Sequence, residues 1–232
     1  MNHRSHETEL NSGEKEAVIA LDGADPGRLP APLAGDVRVR VLPLPRPVGA
    51  ACARNLALNE VRTAYVNWAD DDLFTDDAMA IRLRVLEATG LGWCAGYSED
   101  LHPDGTTSLW RCPTPPGRHA AGDVWTYWKT PPDTIPIGPT TILARTDLVR
   151  AAPMGGLVQG EDYMAAIGVT CLAPGVLLPV PVYRYRKHPG QMTSQDTYDL
   201  LEPAARQHAW NYGRSLRAAR SVPATSDAGG VV

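Results

Sequence analysis

Ala64-Tyr65-Val66-Asn67-Trp68-Ala69-Asp70-Asp71-Asp72-Leu73 is the stretch on which the reading of this chain turns. Its first half is short and apolar, as a buried strand is, and its second half sets three carboxylates where that strand stops. Adjacent carboxylates repel one another, and holding them at a strand end costs on the order of several kcal/mol or raises their pKa unless a cation is present. A hard divalent ion is the natural partner: Mg²⁺ and Mn²⁺ favour oxygen ligands, and Mg²⁺ takes one or two carboxylates while phosphate oxygens and water complete its shell. In extended backbone Asp70 and Asp72 point to the same side, so one would be free for a neighbouring ligand while the other holds the ion. The plain alternative for the triplet alone is a solvated acidic loop leading into a helix.

Downstream, Thr75 reads as a helix cap, Asp76 and Asp77 suit the positive end of the dipole, Ala78, Ile81 and Val85 share a face, and Gly90 ends the helix. Residues 92–97 form the next strand. Upstream, Ala17-Val18-Ile19-Ala20-Leu21 is a strand feeding the turn Asp22-Gly23, and the alternation of Val37-Arg38-Val39-Arg40-Val41 marks a strand with one wet face. A helix starts near Gly49 and runs to Val61. Strands alternating with helices imply an α/β fold with a largely parallel sheet, which binds ligands beyond the carboxyl ends of its strands. Asp22 and Asp70 to Asp72 fall at such ends and are expected to converge.

Residues 98–139 are rich in Pro, Gly and Trp without periodicity, which fits loops or a lid. Gly155, Gly156 and Gly160 mark a flexible turn before a short helix at 161–168. The strand at 176–185 contains Pro179 and Pro181, which demotes it to an edge or a bent ribbon. Residues 199–220 can form a helix, while 1–16 and 221–232 read as irregular or disordered.

The chain has 232 residues, 44% of them hydrophobic, enough for one well-buried α/β domain. Within it, 17–97 is expected to form a ligand-binding half and 98–198 a half that carries the catalytic groups, with a helix at 199–220. A net charge of −4 with scattered basic residues gives no footprint for nucleic acid. No apolar run approaches the roughly 20 residues that span a bilayer, and the first residues are polar where a signal peptide is greasy, so a cytoplasmic protein without a transmembrane segment is expected. Cys52, Cys94, Cys112 and Cys171 make no CxxC pair and read as reduced, mostly buried small hydrophobes. No GxxxxGK[ST] phosphate loop occurs.

Two further groupings carry chemistry. Gly160-Glu161-Asp162-Tyr163 places an acidic pair at a helix start; a carboxylate there can accept the proton of an attacking hydroxyl or simply serve the helix dipole. Tyr183-Arg184-Tyr185-Arg186-Lys187-His188 is an aromatic and cationic strand end, suited to a diphosphate or to a metal through His188, or else a charged strand edge.

In order along the chain, Ala17 to Gly23, Gly49 with Ala53-Arg54-Asn55, the aspartate triplet, Gly160-Glu161-Asp162 and Tyr183 to His188 resemble the family-2 glycosyltransferases of the GT-A type. The resemblance implies a GT-A, Rossmann-like α/β fold with a mostly parallel central sheet flanked by helices. It implies inverting transfer of a sugar from a UDP-, dTDP- or GDP-sugar donor to the hydroxyl of a small-molecule or glycan acceptor, dependent on Mn²⁺ or Mg²⁺. By the same likeness Asp22 contacts the base, Arg54 and Asn55 support the nucleotide, and Asp70 to Asp72 form the DXD element with Asp72 the best metal ligand. Asp162 is the catalytic base, and Arg186 and His188 face the diphosphate. Glu161, Trp110, Trp125 and Trp128 are candidate acceptor contacts. The family opens with an apolar strand ending in a Pro-containing turn, and none precedes Ala17; the alternative is therefore a non-catalytic nucleotide-sugar binder or partner protein of the same fold. The Arg common in the helix after the base is also missing from Tyr163-Met164-Ala165-Ala166-Ile167-Gly168. A nucleotidyltransferase fits less well for want of a Gly-rich phosphate loop, and a phosphatase leaves the stretch from Asp22 to Arg54 unexplained.

Overall fold

The computed structural model describes residues 15–157, 159–191 and 196–221. The expectations for 1–16 and 221–232 lie almost wholly outside them. Compact packing divides the chain between Val61 and Arg62.

In the first unit β1 (Ala17–Asp22) and β2 (Val39–Leu44) pair in parallel, joined through a loop that carries the single-turn α1 (Ala31–Ala34). The strand β2 begins two residues later than its alternation predicts. Asp36 accepts hydrogen bonds from the Arg38 backbone N–H and guanidinium, which ties that end into a local turn and leaves Val37 fully exposed. Helix α2 (Ala50–Glu60) then packs on β1 through Ala51, Ala53, Ala57 and Leu58. Small residues let a helix lie close to a short strand.

The second unit comprises β3 (Tyr65–Asn67), β4 (Leu73–Phe74), α3 (Ala78–Thr89), β5 (Trp93–Leu101), β6 (Thr107–Trp110), β7 (Gly117–His119), α4 (Asp123–Thr126), β8 (Leu143–Arg145), α5 (Thr146–Ala151), α6 (Glu161–Leu172), β9 (Gly175–Arg186) and α7 (Asp196–Ser221). Its sheet runs β3-β8-β5-β9-β4, with β6 on β5 and β7 on β9. The expected α/β architecture is present, but the sheet is mixed: β5–β9 pair in parallel, whereas β3–β8, β5–β8, β5–β6, β7–β9 and β4–β9 are antiparallel. Because β8 is antiparallel to both β3 and β5, those two strands and β9 point the same way, and β8 is threaded between them. Helices cover both faces. Leu143 of β8 packs with Leu86 of α3, and its neighbour Ala144 faces the α6 residues Ala165 and Ala166, as period-two alternation requires.

The demotion of the 176–185 strand to an edge is corrected: β9 is paired on both sides. Its prolines are tolerated because the partner strands step around them. On one side β7 pairs residues 175–177 and β4 pairs residues 183–184, leaving the proline stretch between them. On the other, the β5 register slips between Ala95 and Ser98, where β9 carries extra residues. Gly96 sits at that bulge, and a Cβ there would lie 2.6 Å from the Val180 carbonyl oxygen.

Helix α3 starts three residues after its expected cap. Thr75 is held by β9, its N–H donating to the Val182 carbonyl and its hydroxyl to that of Pro181, so the helix begins behind Asp77. Gly90 ends it in the left-handed region at φ 66°, as expected. The buried positions are Ala78, Arg82 and Leu86, so the core-facing stripe is displaced from the one expected.

Helix α7 lies along α6, where Trp128, Ile167, Cys171 and Ala209 form a core with Trp125 and Trp210 against it. A Cβ at Gly213 would come within 2.2 Å of Trp125, so this glycine is what lets the two approach. Among the described residues no helix is long and apolar enough to cross a membrane.

Three thiols are buried as expected, with burial pushing Cys94 up to about 12 and Cys112 and Cys171 to about 11; Cys52 is exposed. A raised pKa keeps these three neutral and slow to react at pH 8. An aromatic disulfide reagent should therefore titrate one fast thiol, Cys52, in the native protein and four in denaturant; a second fast thiol would contradict the packing.

Candidate active site

The acidic loop between β3 and β4 is fastened to the end of β9. Asp72 Oδ2 accepts from the Tyr183 hydroxyl at 2.9 Å, and Asp72 Oδ1 accepts from the Arg186 backbone N–H at 2.7 Å. Tyr183 is 3% exposed, so its hydroxyl reaches the loop from inside. The Asp72 carboxyl is raised above the usual carboxylate range, first by burial, then by the charges of Asp71 and Asp70, against the lowering effect of the two hydrogen bonds. On the solvent side the Arg186 guanidinium and the His188 ring each stand 3.9 Å from Asp71. The triplet and the cationic strand end, 111 or more residues apart, thus form one constellation.

The triplet bends at Asp71 and Asp72 instead of continuing as extended chain, so the same-side placement of Asp70 and Asp72 that an extended strand would give is replaced by the β9 fastening. Beneath it, Asn67 Nδ2 donates to the Trp68 and Thr140 carbonyls, and its Oδ1 accepts from Arg82. Arg82 is fully buried; its guanidinium also bonds the Thr141 and Ala78 carbonyls and lies over the Phe74 ring. Burial pushes its pKa down to about 10. Neither Tyr183 nor Arg82 carries a local sequence mark of this role.

Asp162 occupies the first turn of α6, half-buried, with Oδ1 accepting from the Tyr163 N–H. Two observations bring α6 to the same edge of the sheet. A small apolar pocket is lined by Val66 and Trp68 from the β3 exit and by Ala165, Ala166 and Val169 from α6. The 3-10 turn Pro139–Thr141 packs on α6 and on β9, the strand whose Tyr183 phenol holds Asp72. Next to Asp162, the Tyr163 hydroxyl meets that of Tyr198 at 3.3 Å and the Glu202 carboxylate at 3.2 Å, and burial together with the carboxylates of Glu202 and Asp162 raises the Tyr198 phenol above its ordinary pKa. Gly160, at φ 69°, caps α6, and a Cβ there would press on Ala205 of α7.

Other predicted residues are placed differently. Glu161 is 6% exposed and faces the interior, not an acceptor. Trp128 is 1% exposed core, and Trp125 is covered by Trp210 and the Arg217 guanidinium, so neither has a free face for a sugar. Trp110, on β6, keeps a partly exposed ring beside Gly138 at the start of the 3-10 turn. In the first unit, Asp22 accepts from the backbone N–H groups of Val48 and Gly49, at 2.6 and 3.0 Å, and so fixes the entry to α2, where Arg54 and Asn55 are half-buried.

Among the described residues no three His, Cys, Asp or Glu side chains converge as a ready metal cage. The acidic loop instead fits an ion that takes one or two protein carboxylates, since Asp72 is half-buried beside two like charges that a cation would offset.

No protein-family model and no curated protein sequence matches the chain. Solved structures do. S. aureus TarS 1-349, a GT-A-like glycosyltransferase, superposes with TM-score 0.60 at 14% identity, covering 92% of this chain and 65% of that one. Its complex with UDP-GlcNAc gives TM-score 0.58 at 15% identity, covering 81% and 54%. The chain therefore spans about two thirds or less of these neighbours, and at such identity the likeness is one of fold: the architecture is GT-A.

Proposed function

We propose that this chain is an inverting glycosyltransferase that uses a nucleotide-diphosphate sugar and a divalent cation. The observation that carries the reading is the acidic triplet pinned through Asp72 to the Tyr183 phenol and the Arg186 backbone, with the Arg186 and His188 side chains across from Asp71. The GT-A fold supports it, as does a TarS structure solved in complex with UDP-GlcNAc, which makes a UDP-sugar the first donor to try.

Asp72, with Asp70 and His188 alongside, would hold Mn²⁺ or Mg²⁺, and the ion when bound supplies Lewis-acid stabilisation of the departing diphosphate. The chain's own residues do the rest. Arg186 is exposed and positioned to bind phosphate oxygens through its guanidinium fork. Asp162, at the positive end of α6, takes the acceptor proton as the hydroxyl attacks the anomeric carbon and positive charge builds on the sugar ring. The partly exposed Trp110 ring would offer an acceptor ring a surface to stack on.

A Mn²⁺-dependent binding and hydrolysis screen over UDP-, dTDP- and GDP-sugars tests the reading. Slow release of nucleoside diphosphate from one donor, lost on chelation, is the expected result. Donor binding without hydrolysis or transfer would instead select the non-catalytic binder, and the absence of both would remove the donor site from the acidic loop.

A further inference from the structure

Far along α7 from the tyrosine cluster lies a cavity of about 500 Å³, lined by Ala121, Arg214, Arg217, Ala218, Arg220 and Ser221. Three arginines line one hollow on a chain whose net charge is negative. Residues 214 and 220 are six positions apart, so the row spans about 9 Å of helix axis.

Each arginine is held in place without its charge being neutralised. Arg214 lies over the Trp210 ring at 5.2 Å, and Arg217 lies over Trp125 at 4.7 Å with its stem against Gly122. Arg220 donates to the Cys171 and Leu172 carbonyls and so caps the end of α6. Among the described residues none of the three forms an ion pair with a carboxylate; the other well-placed arginine of α7, Arg206, does so with Glu202 at 2.7 Å. Cations near a helix C-terminus are ordinary dipole partners, which explains Arg220. That effect explains neither the hollow nor the two tryptophan rings that fix Arg214 and Arg217 before any ligand arrives. Rings that immobilise a guanidinium lower the entropy lost when it later forks onto an anion.

We propose that this hollow is a second anion site, distinct from the acidic loop, which binds a ligand carrying two or more phosphate groups. The volume falls in the range of small-molecule pockets and exceeds what one phosphate needs. Guanidinium forks match phosphate oxygens in pairs, and three forks over the length of the row suit linked phosphates better than an isolated anion. No divalent ion is needed, which separates this site chemically from the carboxylate loop.

The test is a titration of the full chain with inorganic pyrophosphate in a chelating buffer, followed by the indole N–H resonances. Trp125 and Trp210 report locally, because they lie under the two arginines, while the buried Trp93 is the internal control. Saturable shifts at Trp125 and Trp210 with Trp93 unmoved are expected. The double variant Arg214→Gln/Arg217→Gln should weaken binding at least about tenfold. It spares Arg220 and its cap, and Arg214→Gln alone provides a milder variant should the double one misfold. Equal affinity in variant and wild type, or citrate binding as tightly as pyrophosphate, would overturn the assignment. Because the readout is local to Trp125 and Trp210, failure here leaves the donor reading untouched, and loss of that reading leaves this site standing.

Discussion

Asp162→Asn is expected to lower sugar transfer by about 10²–10⁴-fold while leaving donor binding within a factor of about three, because an amide keeps the shape and the hydrogen bond of the carboxylate but cannot take a proton. The local structure supports such a clean separation. The Tyr163 N–H bond to Oδ1 survives the exchange, and the Gly160 turn and the buried stripe of α6 are untouched by it. Asp72→Ala should behave differently and lose donor binding together with transfer. That variant also strips the Tyr183 hydroxyl and the Arg186 N–H of their acceptor, and a buried donor left unpaired costs about 1–3 kcal/mol. Tyr183→Phe is the control: it deletes one of these two hydrogen bonds and spares the carboxylate. If Tyr183→Phe alone reproduces the full loss of donor binding, Asp72 acts through loop geometry and not as a ligand. Undiminished turnover in Asp162→Asn would remove it from the role of base.

Much of this arrangement was legible in the sequence. The strand β1, the helix α2, the strand β3 with the triplet at its end, the Gly90 stop and the helix α6 each carry an apolar run or a glycine whose local meaning survives folding. The antiparallel partners were not legible, for a physical reason. Strands of two to four residues such as β4, β6, β7 and β8 are too short to show a period, and what makes them strands is the neighbour that completes their hydrogen bonds. Thr75 reads locally as a helix cap, and only the pairing of Leu73 and Phe74 with β9 turns it into the end of a strand. Pro179 and Pro181 misled in the same way, since their missing N–H groups matter only where a partner strand would have used them. For the site, the charged residues were readable and the fixtures beneath them were not. A tyrosine in an alternating strand and an arginine in a helix have no local mark of burial, and Tyr183 and Arg82 owe their roles to residues far away in sequence.

Arg82 is where that hidden layer should be most costly to disturb. The guanidinium satisfies Asn67 Oδ1 and the Thr141 and Ala78 carbonyls from a fully buried position, with Met79 Sδ at 3.1 Å from Nη2. Two opposed terms decide the effect of Arg82→Met. Removing the side chain relieves the desolvation of a buried cation, the same burial that lowers its pKa to about 10. It also leaves Asn67 Oδ1 and the Thr141 carbonyl facing a thioether, at about 1–3 kcal/mol for each acceptor left unpaired. Asn67 cannot turn away, because its amide nitrogen is committed to Trp68 and Thr140. The second term is therefore expected to win, with a net loss of about 2–4 kcal/mol, or roughly 5–15 °C in Tm for a chain of this size. Arg82→Lys restores the charge but not the planar fork, and should recover only part of the loss. The pH test follows from the direction of the shift. A basic group whose folded pKa lies below its unfolded value is protonated in both states below about pH 10, so stability would rise only as pH climbs through that value toward the ordinary arginine pKa. The deficit of Arg82→Met should thus be the same at pH 6 and pH 8.5. The consequence for function comes through position: Asn67 stands three residues before Asp70, and a β3 exit no longer held by Arg82 would let the acidic loop wander from Tyr183. Donor affinity should fall more than the rate at saturating donor, a split that simple loss of folded protein would not produce. A melting temperature within about 1 °C of wild type would show that the buried cation stabilises nothing, and the β3 exit would then need another anchor.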